Sequence, residues 1–139
     1  MKLNYSLTTG FATCDGTTPS RDNTDSWIAW LPASPQDISS TSQLGGTFYL
    51  TPRSAPGLDE NTVLLGVALG DLAGVQLGEI DPQQLSYSEG AAATVDADAV
   101  SLEAVQVIAA QNGPARRAAQ AAFAEVPGER QFHIMPELF

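Results

Sequence analysis

Positive charge is scarce in this 139-residue chain. Lys2 is the only lysine, and Arg21, Arg53, Arg116, Arg117 and Arg130 are the only other cations. Sixteen acids oppose them, so the formal charge is 6 − 16 = −10. A surface that acidic repels phosphate backbones and anionic lipid, which disfavours nucleic-acid and membrane-surface binding. Cysteine and histidine occur once each, as Cys14 and His133. One cysteine forms no intrachain disulfide, which fits a reducing compartment. One Cys and one His do not build a zinc site within a single chain. No apolar run is long enough to span a bilayer, and Asn4, Ser6, Thr8 and Thr9 break up any secretory signal. Walker, dinucleotide-binding, zinc-ribbon and Gly-x-Ser-x-Gly patterns are absent as well.

What remains is globular in texture. Hydrophobic residues make up 43% and charged residues only 16%, so Ser, Thr, Gln, Asn and Gly must supply much of the polar surface. The length suits one domain, 1–139. The expected class is α+β, with a small, mostly antiparallel sheet. Leu3, Tyr5 and Leu7 alternate with polar residues, as in a half-buried strand. Trp27 to Leu31 reads as a buried strand, and Ser34-Pro35 as a helix start. Valines, leucines and four glycines spaced by four fill 63–80. This predicts a Gly-rich hairpin with Gly70-Asp71 at its tip. Leu102, Val105, Ile108 and Ala109 form a stripe that predicts a helix over about 99–112. Pro114 opens a second helix, about 114–126, with an alanine-rich face. A final short strand is expected at 130–135, around Phe132 and Ile134.

The chemistry offered is thin. Asp96 and Asp98 would share a face in a strand and could hold a hard cation, or they could serve the N–H groups of the following helix. Cys14 and His133 are the only thiol–imidazole pair, and nothing in the sequence brings them together. Trp27 and Trp30, three apart in a strand, point to opposite faces. No residue is assigned a catalytic, cofactor-binding or metal-binding role, and no cofactor is expected.

The charges are segregated. From Ser54 to Ala115 there is no Lys or Arg but nine acids, and Arg116-Arg117 follow at once. This texture leads to the first expectation, a non-enzymatic structural or assembly protein working through protein–protein contacts. Such a protein would be a homo-oligomer or an accessory part of a phage particle, such as capsid, connector or tail. Its partners would be proteins, without nucleic acid or membrane, and its location cytoplasmic or virion. The alternative is a small α+β enzyme or ligand-binding domain with a carboxylate-based site, with Asp96, Asp98 and His133 the first residues to test. A further alternative is an acidic inhibitor that mimics nucleic acid.

Overall fold

A computed structural model describes residues 2–5, 11–18, 22–39, 43–50, 58–72 and 94–139. Its elements in chain order are β1 (Asn4–Tyr5), β2 (Ala12–Thr13), β3 (Ile28–Ala33), α1 (Pro35–Ser39), β4 (Gln43–Tyr49), β5 (Val63–Ala68), β6 (Thr94–Ser101), β7 (Val105–Ala110), α2 (Gly113–Ala122) and β8 (Gln131–Ile134). β1 and β2 form a two-stranded ribbon. The other strands form one sheet in the order β6-β4-β3-β5-β7-β8. Every pair in it is antiparallel except β7–β8, which is parallel.

β5 lies inside the sheet and all six of its residues are buried. A strand covered on both faces reads as a continuous apolar run, which is the pattern of Val63 to Ala68. β3 shows the period of two that divides the core. Ala29, Val63, Leu65, Ile108 and Ala110 belong to the larger cluster, with Ala115, Ala119 and Phe123 of α2. Ile28, Trp30, Leu64, Val107 and Ala109 belong to a second cluster on the opposite face, with Met135 and Leu138. Trp27 joins the first cluster and stacks on Phe11, with centroids 5.4 Å apart. The two tryptophans therefore do face opposite ways.

The α+β class stands, and several of its expected details do not. The small sheet is a six-stranded one with a parallel edge. Segment 99–112 is not a helix: it contains the end of β6, a 3-10 turn at Leu102–Ala104, and β7. A bulge explains the misleading stripe. Val67 pairs with Val105 and Gly66 with Val107, so Gln106 is an extra residue in β7. An inserted residue flips the alternation. Val105 and Ile108 then share one face although they are three apart, which imitates helical spacing.

The hairpin is also corrected. β5 matches its first arm, but both edges of β5 are taken, by β3 and β7. Leu69–Asp71 forms a 3-10 turn where the tip was expected. The second arm, 73–80, lies outside the described residues. The other helix is present but shorter, at Gly113–Ala122 rather than 114–126. The last strand is found at Gln131–Ile134. Among the described residues no helix is long and apolar enough to cross a membrane.

Candidate functional site

Three chain segments meet beside the larger core cluster. The first is the start of α1, where the Ser34 hydroxyl accepts the Asp37 N–H at 3.3 Å. Pro35 occupies the first helical position, where no N–H is missed. The second is the turn at 59–62 that leads into β5. The third is the N-terminus of α2. Between them lies a cleft of about 420 Å³, lined by Ser34, Pro35 and Gln36, by Asp59, Asn61 and Thr62, and by Pro114, Ala115 and Ala118. Clefts of this size are within the range of small-ligand sites.

Asp59 organises its turn through a single carboxylate oxygen. Oδ1 accepts the Asn61 N–H at 2.9 Å, the Thr62 N–H at 3.0 Å and the Thr62 hydroxyl at 3.0 Å. Bonds to the charged form favour that form. The Asn61 N–H above all, and then the Thr62 hydroxyl, hold the carboxyl below its ordinary range, so Asp59 is ionised at neutral pH. With these bonds all on Oδ1, Oδ2 is left for other donors.

Asn112 joins the turn to the helix. Its Oδ1 accepts the Ala115 N–H at 2.8 Å, which is an N-cap, and its Nδ2 donates to the Glu60 carbonyl at 3.0 Å. Asn112 adopts the extended backbone that a cap requires, with φ −152 and ψ 172. The cap also decides what the helix end can bind. Pro114 has no N–H, the Ala115 N–H is spent on Asn112, and the Arg116 N–H bonds the Asn112 carbonyl. Few donors are left for an anion, and the nearby Asp59 is negative. The cleft suits a neutral ligand rich in hydroxyl groups better than a phosphate.

The residues singled out from sequence lie elsewhere. Asp96 and Asp98 fall within β6, at one edge of the sheet, and not at a helix start. His133 lies on β8, at the other edge, where Nε2 is 2.9 Å from Gln131 Oε1. Among the described residues no three His, Cys, Asp or Glu side chains converge as a metal site. Cys14 packs against the second core cluster. Burial first, and then the Asp15 carboxylate, push its thiol pKa up, the reverse of what an activated nucleophile needs. Sequence reasoning missed Asp59, Thr62 and Asn112. The signal for Asn112 was present as Asn-Gly-Pro before an alanine-rich helix. Asp59 and Thr62 carried none beyond a turn-like composition.

No family model matches the chain, and no curated protein matches it by sequence. The fold is similar to that of Thermus sp. 2.9 DarT, solved in complex with carba-NAD+. The likeness covers 81% of this chain and 97% of that one, with a TM-score of 0.59 and 12% sequence identity. It overturns the first expectation. The likeness is one of fold, and it gives no support to a capsid, connector or tail component.

Proposed function

We propose that this chain is a small α+β ligand-binding domain or enzyme whose ligand is a nicotinamide-type dinucleotide. The observation that carries the reading is the backbone likeness to DarT, since that protein was solved with carba-NAD+. The cleft between α1, the 59–62 turn and α2 is the proposed site for one ribose of that ligand. A ribose presents vicinal hydroxyls, and an ionised carboxylate with a free oxygen accepts them, as an acidic residue does in many dinucleotide folds. The phosphates would sit outside this cleft, because the capped end of α2 offers few donors beside the negative Asp59.

Titration calorimetry with NAD+ and with carba-NAD+ tests the reading. Both should bind the wild-type chain. D59N removes the charge that strengthens the hydroxyl bonds, so affinity should fall about tenfold. If neither compound binds at millimolar concentration, the proposal is wrong. If D59N binds as tightly as wild type, the cleft is not the ribose site.

A further inference from the structure

We propose that two copies of this chain pair through the face formed by α2 and β8. β7 and β8 are parallel, so α2 returns between them and runs opposite to β8. Ile134, at the end of β8, therefore lies toward the start of α2. It is 44% exposed, the only large apolar side chain left that open among the described residues. A groove of about 400 Å³ lies toward the other end of α2, with Phe123, Val126 and Phe132 in its wall. Phe132 is two residues before Ile134 in the strand, so the knob and the groove are on one face. A two-fold axis between them seats each Ile134 in the partner's groove, which is how a self-complementary contact closes.

Charge selects a second copy as the occupant. Two chains at −10 repel over most of their surfaces, and a contact between them needs both signs on one patch. Three of the four cations among the described residues, Arg116, Arg117 and Arg130, fall within fifteen positions of the chain, on α2 and just after it. Arg117 is exposed and lies near the start of α2, whereas the exposed Glu129 lines the groove at the other end. The two-fold that seats Ile134 also brings Arg117 of each copy toward Glu129 of the other. Arg130 stiffens the groove from beneath, donating to the carbonyls of Val105, Val126 and Pro127 with its guanidinium 4.8 Å from the Phe123 ring.

Sedimentation equilibrium of the full chain over a range of concentrations is the test. Wild type should show a reversible monomer–dimer equilibrium. I134D and R117E should each weaken the dimer about tenfold or more, while R117E combined with E129R should regain most of the loss. Melting temperatures measured at concentrations where wild type is monomeric should stay near wild type, because Arg117, Glu129 and Ile134 are all exposed. A wild-type chain that stays monomeric throughout overturns the proposal, as does a dimer unaffected by I134D.

Discussion

Gly66 sits where the sheet is most crowded, and replacing it with alanine isolates the effect of close packing. An ideal Cβ at this position would lie 2.5 Å from Val107 Cγ1, 2.9 Å from Ile28 Cγ2 and 3.1 Å from Trp30 Cζ3. All three neighbours are buried β-sheet side chains with almost no exposure, so none is a flexible end that can swing away. Overpacking of this kind costs roughly 1–3 kcal/mol, and an approach of 2.5 Å to a rigid neighbour belongs in the upper part of that range, about 2–3 kcal/mol. Alanine regains roughly 0.5–1 kcal/mol by restricting the unfolded backbone. The net loss for G66A is about 1–2 kcal/mol. For a domain of this size that lowers the melting temperature by about 5 °C. Urea unfolding measures the loss, and a double-mutant cycle locates it. V107A removes the methyl that the new Cβ meets, so it should cost less in the G66A background than in wild type, with a coupling of about 1 kcal/mol. If G66A is as stable as wild type, or more stable, the packing account of β5 is wrong.

Other predictions follow from single contacts. N112A loses the cap of α2 and the tie to Glu60, and should cost about 1–2 kcal/mol in urea unfolding. Trp27 Nε1 donates to Asn23 Oδ1 at 3.0 Å, whereas the buried Trp30 Nε1 has no partner. W30F should therefore cost less than W27F, by about 1 kcal/mol or more, because only W27F strands a polar partner. The Tyr5 hydroxyl donates to Glu137 at 2.7 Å, and that bond to the carboxylate, with burial and the negative charge adding to it, raises the phenol pKa. A raised folded pKa means that the contribution is complete below the unfolded value of about 10 and is lost as pH rises through the folded value. The stability gap between wild type and Y5F should thus hold from neutral pH to the high nines and close at higher pH, as followed by melting curves.

Much of the fold could be read from local pattern. The apolar run that becomes β5, the opposite-facing Trp27 and Trp30, the Pro114 helix and the final strand all follow from periodicity and breakers. The failures have physical causes. β7 carries a bulge at Gln106, and a bulge gives a strand the three-residue spacing of a helix. The partners of β5 are β3 and β7, far from it in sequence, so a local hairpin was the wrong economy of pairing. The candidate site was less legible. Its carboxylate, Asp59, is one of sixteen acids, and only the fold places it against Ser34 and Ala115. Asp96, Asp98 and His133 looked more distinctive in sequence, yet they lie at the two edges of the sheet.

The proposed ligand, a nicotinamide-type dinucleotide, would occupy the cleft between α1, the 59–62 turn and α2. The most direct measurement is a ¹⁵N–¹H correlation spectrum of the chain during titration with NAD+. The amides of Asn61, Thr62, Ala115 and Ala118 should shift together and saturate. Spectra that do not change at millimolar NAD+, or shifts confined to 129–134 on the opposite side of α2, would contradict the account.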